Sequence, residues 1–181
     1  NLASAYAQTG DKVLLIDADL RNPSINYLLE LNSNSKDNHS QGLTHYLTSM
    51  DMVNSEVIQT CMVEGLDVIT SGPTPADPVE LLSGARMTEL MESNSRIYDH
   101  IIIDGPPVLG LADSLVLANL ADATILSVEA GKTKKSSLMD SLKRLERANA
   151  NILGTVLAKV SPQNNPDYNL EYYSYSNNKQ T

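Results

Sequence analysis

Two aspartates, Asp17 and Asp104, each follow a short run of branched aliphatic residues. A run such as Val13 to Ile16 is too short for a helix and is typical of a strand buried on both faces, as in parallel sheets. Ligands of open α/β sheets bind beyond the carboxyl ends of such strands. Two carboxylates at that edge are candidate groups for a metal ion beside a polyanion, so the pattern predicts a nucleotide site with Mg²⁺.

Length, composition and charge are compatible with this hypothesis. The chain has 181 residues, of which 41% are hydrophobic, so we expect one domain with its own core. Its formal net charge of -9 argues against a nucleic-acid surface, because phosphate backbones are bound by an excess of Lys and Arg. The single cysteine, Cys61, fits a reducing compartment. With no apolar run of membrane-span length and no signal-peptide pattern, we expect a soluble cytoplasmic domain.

Apolar runs and the turn residues between them predict an α/β fold in which strands and helices alternate around a mainly parallel sheet. The predicted strands cover residues 12–17, 66–70, 99–104, 122–128 and 152–160. The predicted helices cover residues 1–9, 25–31, 78–94, 112–120 and 134–149, with a further short helix near 42–47.

The two ends of the chain differ from this regular part. Residues 1–9 read as the continuation of a helix that ends at Gly10, so we expect that the sequence begins within a domain and that a strand, a turn and a helix start precede it. Residues 161–181 are rich in Ser, Asn and Gln and have no apolar periodicity, which predicts a disordered tail. Four of the eight tyrosines lie in it: Tyr168, Tyr172, Tyr173 and Tyr175.

From Val13 to Lys159 the sequence resembles the cytoplasmic domain of bacterial tyrosine kinases, which regulate capsule and exopolysaccharide synthesis and are related to P-loop ATPases. Residues 13–19 with Arg21 and Pro23 are similar to the Walker A′ motif of that family, and residues 101–109 to its Walker B motif. Four other runs are also similar: Gly42-Leu43, residues 72–75, residues 78–83 and residues 130–133. Asp-ended strands are common to all partition-type ATPases, whereas Asp-Leu-Arg-x-Pro followed by a tyrosine-rich tail is more specific.

The resemblance implies a P-loop NTPase-like domain of the partition-ATPase type over residues 1–160, followed by a flexible tyrosine-rich tail over residues 161–181. It implies a protein-tyrosine autokinase that uses ATP and Mg²⁺ to phosphorylate tyrosines of its own tail. It further implies a homo-oligomer at the inner face of the plasma membrane, a membrane-embedded activator on the same or a separate chain, and a cognate tyrosine phosphatase.

Two features depart from the family pattern. The Walker A sequence Gly-x-x-x-x-Gly-Lys-Ser/Thr, whose amides and lysine cradle phosphates, is absent from the chain, and the resemblance would place it just before Asn1. Ala158 occupies a position where related proteins commonly carry an adenine-contacting Asn. We therefore expect the 181 residues to bind ATP weakly.

Elementary chemistry suggests a role for each carboxylate if the reaction is phosphoryl transfer, in which positioning and charge neutralisation supply most of the rate. We expect Asp104 to bind the metal and Asp17 to orient its water shell. A tyrosine hydroxyl has a pKa of about 10 and is a poor nucleophile at neutral pH, so a nearby carboxylate that accepts its proton would help. Asp19 is the candidate for this base, with Asp17 as its competitor.

Other charged groups leave alternatives open. Arg21 is expected either to bind phosphate or to lock its loop through Asp19. The run of Lys132, Lys134 and Lys135 is expected to form a solvated face, against a role in gripping nucleotide or an acidic partner. The nucleotide-contact candidates are thus Asp17, Arg21, Asp104 and Ala158. The alternative functions are a partition or division-site ATPase that phosphorylates nothing, and a catalytically dead regulator.

Overall fold

The computed structural model describes residues 1–29 and 41–160. Its strands are β1 Val13–Asp17, β2 Ile58–Thr60, β3 Leu66–Ile69, β4 His100–Asp104, β5 Thr124–Glu129 and β6 Ile152–Ala158. Its α-helices are α1 Leu2–Gln8, α2 Ile25–Leu28, α3 Leu43–Thr48, α4 Pro78–Ser83, α5 Ala85–Asn94, α6 Asp113–Leu120 and α7 Lys135–Arg147, with a 3₁₀ turn at Asn54–Glu56.

The main sheet has the strand order β2-β3-β1-β4. Strand β1 is its central member and pairs in parallel with both β3 and β4. Val13, Leu14 and Ile16 on β1 are fully buried, as expected for a strand covered on both faces. Leu14 and Ile16 pack into the larger hydrophobic cluster together with further aliphatic side chains from the helices and loops. The predicted mainly parallel arrangement is confirmed.

Strands β5 and β6 form a separate parallel pair. Within residues 1–29 and 41–160, no strand pairing joins β4 to β5. A cavity of about 530 Å³ lies between them, lined by Ile103 and Asp104 on one side and by Ile125 to Val128 on the other. Leu117 of α6 and Leu145 of α7 also line it. The single sheet expected from the sequence is therefore divided in two at this cavity.

Two local differences from the predicted elements have physical explanations, and one predicted helix end is confirmed. Strand β2 was not predicted, because its three residues form a short antiparallel edge strand without an apolar run. The helix predicted over residues 78–94 is broken at Gly84, whose backbone is extended with ψ 160°. Helix α1 ends before Gly10, where φ is 99°, as the sequence predicted.

Within the described ranges, no helix is both long enough and apolar enough to span a membrane.

Candidate active site

Strands β1 and β4 bring the two predicted aspartates together. The strands are parallel and in register, so Asp17 and Asp104 are direct partners at their carboxyl ends. The amide of Ala18 donates to the carbonyl oxygen of Asp104 at 2.9 Å, which extends the pairing by one residue. The predicted juxtaposition of these carboxylates is therefore present in the fold.

Asp17 is completely buried, and its two oxygens have different surroundings. Oδ2 accepts the amides of Ser24 at 3.2 Å and Ile25 at 3.1 Å, and so anchors the start of α2. Oδ1 has no hydrogen-bond partner in the described part of the chain. Burial raises the pKa of Asp17, with a smaller contribution from the charge of Asp104, while the amide bonds act in the opposite direction. A buried, unpaired carboxylate oxygen is costly, and a bound cation would relieve that cost.

Asp19 orients the loop that follows β1. Its Oδ1 accepts the amides of Arg21 at 3.2 Å and Asn22 at 3.0 Å, which is an Asx-type turn. Among the described residues, its Oδ2 receives no hydrogen bond, so one oxygen is structural and the other remains available. Asp104 is exposed at the surface, and partial desolvation, with the charge of Asp19 second, raises its pKa. The three carboxylates are therefore close enough to affect one another.

These carboxylates fit a Mg²⁺ ion held mainly by water. In residues 1–29 and 41–160, no group of three or more His, Cys, Asp or Glu side chains has metal-binding geometry. Mg²⁺ does not need such a group, because it keeps several waters and is commonly held by one or two carboxylates together with substrate phosphates. The unpaired oxygen of Asp17 and the neighbouring carboxylate of Asp104 supply that donor set.

Arg21 binds a residue that sequence reasoning did not identify. Its Nε lies 2.5 Å from Oδ2 of Asp113 and its Nη2 lies 3.1 Å from Oδ1, a bidentate ion pair. Asp113 is the first residue of α6 and its side chain is 1% exposed. The amide of Arg21 bonds to Asp19, as the loop lock predicted, but its guanidinium pairs with Asp113 instead. An acidic residue in the first turn of a helix is so common that the sequence offered no distinguishing signal.

A second loop packs beside β1 at the end of β3. The amides of Leu43 and Thr44 donate to the carbonyls of Thr70 at 2.7 Å and Ser71 at 2.9 Å. Gly42 lies against the backbone of Gly72, and a Cβ at Gly42 would be 2.4 Å from the Gly72 nitrogen. This close approach requires glycine at position 42.

Ala158 lies apart from the carboxylate cluster, at the end of β6 in the second sheet. Opposite it, Glu129 pairs with Lys132 at 3.1 Å and with Lys159 at 3.3 Å, and these lysines lower the pKa of Glu129. Lys134 is exposed before α7, as expected for a solvated face. The four tail tyrosines, Tyr168, Tyr172, Tyr173 and Tyr175, lie outside the described residues.

Comparison with known proteins places this geometry in context. Residues 1–155 match the AAA domain family. The chain is 36% identical over 178 residues to the tyrosine-protein kinase YwqD of Bacillus subtilis. This match covers 98% of this chain and 71% of that protein.

Two solved structures share the fold. The kinase domain of the Escherichia coli tyrosine kinase ETK has a TM-score of 0.78 and 36% sequence identity, and the match covers 88% of this chain. This chain spans 62% of that domain, which is less than two thirds of its length. The cell division ATPase MinD of Pyrococcus furiosus has a TM-score of 0.67 over 86% of this chain and 62% of its own. At 24% identity, the likeness to MinD concerns the fold alone.

Proposed function

Because the chain belongs to the bacterial tyrosine-protein kinases, with an AAA domain over residues 1–155, we propose that its carboxylate cluster serves phosphoryl transfer from ATP to tyrosine. The observation that carries this proposal is the buried carboxylate of Asp17, whose Oδ1 has no partner in the described residues and which lies opposite Asp104. Such an arrangement is unfavourable by itself and becomes favourable beside a cation.

Asp104 and the unpaired oxygen of Asp17 would hold Mg²⁺, which neutralises charge on phosphate oxygens when it is bound. Asp17 also fixes the loop after β1 through the Ser24 and Ile25 amides, so the carboxylate cannot rotate without breaking both bonds. Asp19 offers its second oxygen as the acceptor of the tyrosine proton, since the first is held by the Arg21 and Asn22 amides. Of the remaining nucleotide-contact candidates, Ala158 is assigned to the adenine side.

The groups that hold the ATP phosphates are proposed to come from outside the 181 residues. The sequence contains no Gly-x-x-x-x-Gly-Lys-Ser/Thr loop, and it spans 71% of the Bacillus subtilis kinase. The cavity between β4 and β5 is bordered by two strands that do not pair with each other in the described part of the chain. One further parallel strand in that space would join the two sheets and end beside Asp104.

The proposed acceptors are the tail tyrosines at positions 168, 172, 173 and 175. Residues 1–160 form the catalytic domain and residues 161–181 the substrate segment in this proposal. Tyr172 is twelve positions beyond Val160, so an extended segment reaches up to about 40 Å, enough to enter the site of a neighbouring subunit. Each phosphotyrosine adds roughly -1.5 to -2 charge, and repulsion would then loosen a homo-oligomer whose subunits already carry a net charge of -9.

In the cell, we assign the protein to the control of capsular or exopolysaccharide synthesis and export. It would act at the inner face of the plasma membrane with a membrane-embedded activator, and a tyrosine phosphatase would reverse the modification. A partition or division-site ATPase fits the same fold, but the likeness to MinD is at 24% identity whereas that to the two kinases is at 36%.

Autophosphorylation of a chain that includes the proposed phosphate-binding segment tests the proposal. Asp104→Asn should remove most phosphotyrosine while leaving thermal unfolding unchanged, because a lost charge at the metal costs rate more than packing. Asp140→Asn, an exposed position on α7, is the matched control. Replacement of all four tail tyrosines by Phe should abolish the signal with the site intact. Undiminished phosphotyrosine in either variant would refute the assignment it tests.

A further inference from the structure

The ion pair between Arg21 and Asp113 connects the two loops that carry the site carboxylates. Arg21 lies in the loop after β1, four residues beyond Asp17, and Asp113 ends the loop that follows β4 and Asp104. The two residues are 92 positions apart in the chain. Both guanidinium contacts are made to the same carboxylate, a geometry that fixes orientation as well as distance. The pair thus links the loops themselves, beyond the pairing of their strands.

Burial of Asp113 makes this link hard to replace. Its side chain is 1% exposed, whereas that of Arg21 is 42% exposed, so the carboxylate depends on the arginine more than the reverse. A buried charge without a partner is strongly unfavourable. The N-terminus of α6 contributes a favourable dipole, and among the described residues Arg21 is the only cation paired with Asp113. The hydrogen bond to Asp113, more than any other neighbour, raises the pKa of Arg21, with the charges of Asp77 and Asp19 contributing less.

We propose that Arg21 and Asp113 are positioning residues that together hold the loop after β1 in the conformation that presents Asp19 and Asp17 to Asp104. The amides of Arg21 and Asn22 donate to Asp19. The ion pair of the Arg21 side chain therefore fixes the backbone that in turn orients Asp19. This inference rests on the proposed kinase function for its catalytic consequence. The structural part of the inference, that the ion pair holds the loop after β1 in place, does not depend on that function.

The competing assignment, in which Arg21 binds phosphate, predicts a different pattern. A phosphate-binding Arg21 would be restrained by Asp113, so Asp113→Asn would release it and tighten nucleotide binding. A positioning Arg21 depends on Asp113, so loss of either partner has the same effect and loss of both adds little.

Hydrogen exchange on residues 1–181 without nucleotide tests the structural part. Arg21→Gln and Asp113→Asn should each speed amide exchange in residues 18–25 by about tenfold or more, and the double variant should match the singles. Exchange in β3 should not change, which shows that the variants are folded. Arg147→Gln, an exposed arginine at the end of α7, is the control and should leave exchange in residues 18–25 unaltered. Unchanged exchange in residues 18–25 in both single variants overturns the inference.

Kinetics of a chain that includes the proposed phosphate-binding segment test the catalytic part. We expect kcat for tyrosine phosphorylation to fall by about 10- to 100-fold in each single variant, with KM for ATP changed by less than about threefold. Arg21→Lys, which keeps the charge and loses the bidentate geometry, should recover only part of kcat. A higher KM for ATP in Arg21→Gln together with a lower one in Asp113→Asn overturns the inference in favour of phosphate binding. That result would leave the kinase function standing, whereas absence of ATP-dependent phosphotyrosine in the wild type would refute the function alone.

Discussion

Asp17 affects the stability of the fold in two ways, through its hydrogen bonds and through its charge, and substitutions at this position distinguish them. Its Oδ2 accepts two backbone amides, while its charge is buried beside Asp104. Asp17→Asn keeps an oxygen for the amides and removes the charge. Asp17→Ala removes both, and therefore leaves the amides of Ser24 and Ile25 without their acceptor.

The expected magnitude follows from the burial of those amides. The bond from Ile25 is buried and that from Ser24 is partly buried. Leaving a buried donor unsatisfied costs about 1–3 kcal/mol, so Asp17→Ala should lower the free energy of unfolding by about 2–4 kcal/mol. For a chain of this size that corresponds to a fall in Tm of roughly 5–15 °C. Asp17→Asn should be at least as stable as wild type at neutral pH without metal.

The pH dependence has a definite sign. Because the pKa of Asp17 is raised in the folded state, the folded protein binds this proton more tightly than the unfolded chain does. The stability associated with the protonated carboxyl is complete below its unfolded pKa of 3.8 and is lost as the pH rises through the folded value. The stability of Asp17→Asn relative to wild type should therefore increase with pH over this range and then level off.

Thermal and urea unfolding of the three proteins from acid to neutral pH, without divalent metal, measures both effects. If Asp17→Asn is destabilised as much as Asp17→Ala, the buried charge itself stabilises the fold and the reasoning fails. Equal stability of all three would show that the two amide bonds contribute nothing measurable. Addition of Mg²⁺ should raise the Tm of wild type more than that of Asp17→Asn.

Three further outcomes are expected. Calorimetry should show weak binding of Mg²⁺-ATP by residues 1–181 and much tighter binding by a longer chain that includes the proposed phosphate-binding segment; equal tight binding by both would contradict the proposal that the phosphate-binding groups lie outside these residues. Gly42→Ala should lower the free energy of unfolding by about 1–3 kcal/mol, because its Cβ would meet the Gly72 backbone at 2.4 Å; Gly84→Ala, with its nearest contact at 3.3 Å, is the milder control in the same urea titration. Ala158→Asn should leave nucleotide affinity in the longer chain unchanged or raise it, and a clear weakening would count against its adenine-side placement.

The apolar runs in the sequence predicted the strands of the sheet and the position of the two site aspartates. Runs of aliphatic residues are typical of strands covered on both faces, so Val13 to Ile16 and Ile101 to Ile103 predicted two strands of a mainly parallel sheet. In the structure β1 is largely buried, as expected, whereas Ile101 to Ile103 of β4 are only partly buried. Asp17 and Asp104 were then located at one edge, because parallel strands share their carboxyl end. The resemblance to bacterial tyrosine kinases, carried by the loop after Asp17 and by the tyrosine-rich tail, is confirmed at the level of the family. The catalytic roles assigned to individual residues stay predictions.

Tertiary structure alone decided the features that depend on long-range contacts. The partner of Arg21 is 92 positions away and has a sequence context indistinguishable from an ordinary helix start, so only folding reveals Asp113 as its ion-pair partner. The different surroundings of the two Asp17 oxygens likewise arise from where the Ser24 and Ile25 amides come to lie. Strand β2 is another such feature, because its pairing with β3 is set by which strand edges meet in three dimensions. Local residue patterns predict where strands form and where they end, whereas the partner of a side chain that is distant in sequence is decided by how the elements pack in three dimensions.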